Sequence, residues 1–223
     1  MKASPLLVLS PTRDLINEAI ISNLLVRRPT KASVPVKRQK LRLDLYLPQM
    51  KYNSAYHPQF ITATILEWKH LLQDDAFKNI IISSLQFLHK EGSIVIYAFV
   101  IMPNHIHMIW QIQDGYVQDK IQQRFLKFTA QQMKFRMMDE RNKMLNDFLV
   151  KAKDRTYQIW ERNSLSIDLW TEKVFLQKLN YIHDNPCKHP WYLAQYPEEY
   201  KYSSAKFYYS GIDDFGFLSH YRG

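Results

Sequence analysis

"VIMPNHIHMIWQI", residues 100–112, decides how the rest of the chain is read. The "MPN" at 102–104 is a turn signal between two apolar runs, "SIVIYAFVIM" (93–102) and "HIHMIWQI" (105–112). The stretch therefore reads as two strands meeting at a turn. Side chains two apart on a strand share a face, so His105 and His107 project together and Ile106 points the other way. Asn104, Met108 and Trp110 follow Ile106 and are expected to pack beneath helices. Imidazoles titrate near neutral pH and commonly ligate transition metals, so two on one face raise the question of a shared divalent ion. A hydrogen-bonded structural pair fits the same spacing.

Outward from that turn the elements follow a regular order. "QFITATILEW" (59–68) alternates and is rich in β-branched residues, the pattern of a strand. "DDAFKNIIISSLQFLHKEG" (74–92) carries Phe77, Ile80, Ile81, Leu85 and Leu88 at helical spacing, with an Asp start and a Gly stop. After Asp114-Gly115, residues Val117, Ile121, Phe125 and Phe128 open a long helix expected to reach residue 149. "RTYQIWERNSLSIDL" (155–169) reads as a further strand or hairpin, and "TEKVFLQKLNYIHDNP" (171–186) as a helix capped by Thr171 and stopped by Pro186. A short helix is expected near "SSAKFYY" (203–209).

This order predicts an α+β fold: a ferredoxin-like, split βαβ antiparallel sheet with helices on one face. The helix at 171–186 has no place in that layer and is assigned to the open face. The expected organisation is an N-terminal extension with a basic linker over 1–50, a domain over 51–210 and a tail over 211–223. Within the extension, residues 12–26 have helical spacing, and "RRPTKASVPVKRQKLR" (27–42) is basic and broken by two prolines, the composition of a tether or a nucleic-acid arm.

Composition narrows the chemistry. Lys and Arg number 30 against 21 Asp and Glu, a net charge of +9 that favours polyanionic partners. Aromatics at 14% suit unpaired bases as well as a core. Five glycines in 223 residues argue against a glycine-rich phosphate loop, and the single Cys187 excludes an internal disulfide. No apolar run reaches the roughly 18 residues of a membrane span, and "LLVL" (6–9), broken by Ser10-Pro11, is a poor signal peptide. A cytoplasmic protein, with neither membrane nor small-molecule cofactor, is the expectation.

A metal between two histidines needs a third ligand and, for chemistry, a nucleophile. On the 171–186 helix Tyr181 and Asn185 lie about 40° apart around the axis, beside a Phe175–Leu179–Ile182 stripe expected to dock on the sheet. His183 lies about 200° from Tyr181 and is not expected to share its site. Asn185 is the better third-ligand candidate. Lys120, Arg124, Lys127, Arg136 and Lys143, on the Gln-rich helix, are candidates for a DNA phosphate track, and a solvated helix face explains each of them equally.

"MPNHIHMIW" followed by a late "YIHDNP" resembles the HUH single-tyrosine transposases, closest to their REP-associated branch, over residues 59–205 including "YPEEYKYSSA" (196–205). The resemblance implies His105 and His107 as the metal-binding pair, Asn185 completing the site and Tyr181 as nucleophile. It implies cleavage and rejoining of single-stranded or hairpin DNA through a 5′-phosphotyrosine, with Mg²⁺ or Mn²⁺. The alternative is a catalytically inactive or domesticated DNA- or RNA-binding protein on the same scaffold. A relaxase would bring further domains, and a water-using phosphodiesterase would leave no covalent product. The likeness to the REP-associated branch tilts toward a monomer, with a helix-exchanged dimer as the other expectation. The spacing of roughly 75 residues between the histidines and Tyr181 is long for compact members, and the first 50 residues have no counterpart in them.

Overall fold

The structure, a computed structural model, describes residues 56–223. The helix expected over 12–26, the 27–42 arm and the whole 1–50 extension lie outside the described residues. Four strands, β1 (Gln59–Thr64), β2 (Ile94–Ile101), β3 (His105–Ile112) and β4 (Leu165–Asp168), form one sheet in the order β2-β3-β1-β4. All neighbours are antiparallel. With α1 (Asp75–Lys90), α2 (Gln118–Asp139) and α3 (Glu172–Asp184), this is the expected α+β, ferredoxin-like plan.

The sheet separates two apolar cores. On one face Ile61, Ala63, Ile106, Met108 and Trp110 pack with Phe77, Ile81, Leu85, Ile121, Phe125, Met133 and Met137, which α1 and α2 supply. On the other, Phe60, Ala98, Val100 and Ile109 meet Phe175, Leu179 and Ile182 of α3. A bulge between Ile96 and Ala98 switches the parity of β2. Ile94 and Ile96 therefore face α1 and α2, while Ala98 and Val100 face α3. Burying the three anchors of α3 contributes about 1.5–3 kcal/mol each. A helix of 13 residues is marginal alone, so its position depends on that docking.

Element ends follow capping chemistry. Asp74 accepts from the Ala76 N–H at 2.8 Å to open α1, and Thr171 accepts from the Val174 N–H at 3.3 Å to open α3. The long helix expected to reach residue 149 instead stops at Asp139. Arg141 takes a left-handed φ of 50°, and Asn142 caps a separate 3₁₀ segment, Lys143–Phe148, that delivers Phe148 fully into the core. The expected 155–169 strand or hairpin reduces to β4, with Tyr157 and Trp160 making isolated bridges. Trp160 turns inward there, its Nε1–H donating to Thr129 Oγ1 at 3.0 Å, and Asn163 breaks the run at φ 60°.

Residues beyond α4 (Ala205–Ser210) join the core. Phe217 is buried, and Tyr221 packs on Phe175 with ring centroids 5.3 Å apart. Along the outer side of β2, the Ser219 N–H donates to Ile96 O at 2.9 Å, the Ser204 N–H to Phe99 O at 2.9 Å and the Ile101 N–H to Tyr202 O at 2.9 Å. No described helix is long and apolar enough to cross a membrane.

Candidate active site

His105 and His107 open β3, the strand whose every residue is buried. Their parity places them on the α3 face, ring centroids 4.7 Å apart. Each has its Nδ1 engaged. His107 stands opposite Thr62 in the β1–β3 register, and its Nδ1 lies 2.8 Å from Thr62 Oγ1. His105 Nδ1 lies 2.7 Å from Asn104 Oδ1. Asn104 donates its Nδ2–H to Trp68 O at 3.1 Å, which turns its oxygen toward His105. The Nδ1–H tautomer of His105 satisfies that carbonyl and leaves Nε2 with a free lone pair.

The same tautomer of His107 leaves Nε2 facing Tyr181, whose Oη is 3.3 Å away. Phe60 lies against both rings, its centroid 5.4 Å from His107 and 6.0 Å from Tyr181. Tyr181 remains 38% exposed. Burial holds the His105 imidazole at a pKa of about 3. It also holds His107 well below the ordinary value, helped by His105 and Lys178. Both imidazoles are therefore neutral at pH 7 and present basic nitrogen rather than charge. Burial raises the Tyr181 phenol, while a hydrogen bond from Asn185 pulls it back down.

Lys178, three residues before Tyr181, reaches into this cluster. Its Nζ sits 4.8 Å from the Phe60 centroid and 5.8 Å from that of Tyr181. Burial lowers its pKa. Among the described residues no carboxylate forms an ion pair with it. A half-buried ammonium bordered by aromatic rings is a ready partner for an anion. Sequence reasoning passed over Lys178, although its i−3 relation to Tyr181 was visible. Thr62, Asn104 and Trp68 were invisible as partners, because strand register and loop path bring them in.

Of the residues singled out by sequence, His105, His107, Tyr181 and Asn185 gather on the α3 face. His183 does not join them. Its Nε2 lies 2.9 Å from Ser204 Oγ, as the helical phase requires. The basic set stands elsewhere. Lys120, Arg124, Lys127 and Arg136 belong to α2, on the opposite side of the sheet, and Lys143 opens the 3₁₀ segment after it. All five are exposed. Arg124 pairs with Glu91 and Arg136 with Glu140.

As a metal site the cluster offers two neutral imidazoles and the Asn185 amide. Among the described residues no group of three or more His, Cys, Asp or Glu converges on one point. The donors fit a divalent ion that keeps open positions for water and phosphate oxygen, and the imidazole pair favours Mn²⁺ over Mg²⁺. Hydrogen bonds that fix both Nδ1 atoms are what such ligands require.

No protein-family model and no curated protein matches the chain. Among solved structures, it shares the fold of a REP-associated tyrosine transposase bound to a REP hairpin. The TM-score is 0.52 at 16% identity, over 77% of this chain and 92% of the other. A candidate transposase from Deinococcus radiodurans R1 aligns with a TM-score of 0.39 at 14% identity, over 60% of this chain and 95% of that one.

Proposed function

We propose that the protein cleaves and rejoins single-stranded DNA beside hairpins, forming a covalent 5′-phosphotyrosine on Tyr181. The observation that carries this reading is the Tyr181 hydroxyl held 3.3 Å from His107 Nε2, where α3 docks on the sheet through Phe175, Leu179 and Ile182. The shared fold supports it, since the related transposase was solved on a REP hairpin.

In this reading Tyr181 Oη attacks the scissile phosphorus. One P–O bond forms to the tyrosine as its phenolic proton passes to solvent, the P–O3′ bond breaks, and the departing 3′ oxygen takes up a proton from solvent. The phosphodiester energy stays in the tyrosyl ester, so a later 3′-hydroxyl can reverse the step without ATP. A free phenol titrates near about 10 and is protonated at neutral pH, so charge developing on Oη needs support. The neighbouring Asn185 amide lowers the phenol's pKa against the upward push of burial. Lys178 supplies positive charge beside the ring and toward the incoming phosphate. Phe60 fixes the azimuth of the tyrosine, and Thr62 and Asn104 fix the two imidazoles. His105, His107 and Asn185 would hold Mg²⁺ or Mn²⁺, which when bound polarises a phosphate oxygen and lowers the barrier to displacement.

The test is incubation of the full chain with a pool of single-stranded hairpins and Mn²⁺, followed by denaturation and sequencing of DNA that stays attached. An adduct that forms, maps to Tyr181 and vanishes with EDTA is the expected result. DNA binding without any adduct would instead assign the chain to the inactive, binding-only class.

A further inference from the structure

The loop after β1 is strained toward the histidines. Glu67 and Trp68 both take left-handed φ, 53° and 57°, a conformation that costs about 1–2 kcal/mol per non-glycine residue. Several hydrogen bonds hold it in place. The Glu67 N–H donates to Glu161 Oε1 at 2.8 Å, the Trp68 N–H to Ile65 O at 2.9 Å, and Trp68 O accepts from Asn104 Nδ2. The outcome is a half-buried indole 6.0 Å from the His105 ring. From the segment after α3 comes a second half-buried indole, Trp191, 5.8 Å from the same imidazole. His70 lies 5.7 Å from Trp191.

Trp68 belongs to neither apolar cluster, and Trp191 packs only at the margin of the one beneath α3, half-buried, whereas Trp110 is fully enclosed. Trp68 and Trp191 flank one imidazole, and a chain of rings runs from Trp68 through His105 and His107 to Tyr181, in steps of 6.0, 4.7 and 5.0 Å. Backbone strain maintained by several hydrogen bonds points to a positional requirement. Half-open indoles next to a phosphate-reacting group match an unpaired nucleobase: its π-face stacks on the indole while its phosphate reaches the tyrosine.

We propose that Trp68 and Trp191 form a stacking site for the unpaired base adjoining the phosphate that Tyr181 attacks. The inference rests on reading this face as a single-stranded DNA site, but not on cleavage taking place there. Stacking tolerates any base, so the site fixes the position of the strand rather than its sequence.

Two measurements test it without requiring strand scission. In the first, the full chain is titrated with a short oligothymidylate and with an abasic strand of equal length, which carries the same phosphates without bases. Wild-type protein is expected to bind the thymidylate roughly tenfold or more tightly. Trp68→Leu with Trp191→Leu should close that gap and leave the abasic affinity unchanged, whereas Trp191→Phe should preserve most of it. In the second, a 5-iodouracil oligonucleotide is photo-cross-linked to wild-type protein, and the cross-link is expected on Trp68 or Trp191. Equal wild-type affinity for both strands, a gap that survives the double substitution, or cross-links confined to other residues would overturn the proposal. Loss of adduct formation with these results intact would sink only the cleavage reading.

Discussion

The two faces of this sheet use the same strands for opposite ends. Beneath α1 and α2, β1 and β3 present Ile61, Ala63, Ile106, Met108 and Trp110 to a closed apolar core. Beneath α3, the alternate residues begin as apolar packing at Phe60 and Ile109 and then give way to Thr62, His107 and His105 toward the β2–β3 turn. Period-two alternation lets one eight-residue strand serve both, because each side chain answers to one face only. Polar groups on the second face are satisfied pairwise, Thr62 with His107 and Asn104 with His105. That is the condition under which buried polarity is tolerated. The imidazole pair and the α1/α2 core are thus kept apart by parity.

The sharpest break of that comparison is Tyr181→Phe, which should abolish the covalent DNA adduct on denaturing gels while hairpin affinity and thermal stability stay near wild type, since the ring contacts survive. On the opposite face Trp110→Ala should do the reverse. Removing a fully buried indole costs about 3–5 kcal/mol in urea unfolding, yet the folded fraction should still form adduct. Lys178→Gln is expected to slow adduct formation on the order of a hundredfold while leaving the fold intact; a rate unchanged in single-turnover assays would show that the ammonium is a bystander. Thr62→Val keeps the shape of β1 but frees His107 Nδ1, and should weaken Mn²⁺ binding roughly tenfold by calorimetry. Least of all, Lys120→Ala with Lys127→Ala, on the face away from Tyr181, should barely change the salt dependence of hairpin binding. A slope reduced by about two would return these residues to the DNA interface.

Much of this arrangement was legible in the sequence, and for identifiable reasons. The parity of His105 and His107 follows from strand geometry, and the side of α3 that carries Tyr181 follows from the Phe175–Leu179–Ile182 stripe, buried as the spacing predicts. What escaped depends on contacts between distant segments. The end of α2 is set by a left-handed Arg141 and by the burial of Phe148, with neither proline nor glycine to announce it. β4 has only four residues, too few for alternation to declare itself. The basic positions of α2 were readable as exposed, but exposure does not say which side of a sheet a helix covers. Thr62 became a partner of His107 only through the register that sets them opposite each other.

The outer margin of β2 has one more consequence. Its backbone groups at Ile96, Phe99 and Ile101 are already hydrogen-bonded to Ser219, Ser204 and Tyr202, and the other margin of the sheet ends in the short β4. Among the described residues, a second chain arriving edge-on finds the long margin occupied and the other, β4, too brief to template growth, which protects a sheet rich in Ile, Val and Phe from runaway stacking.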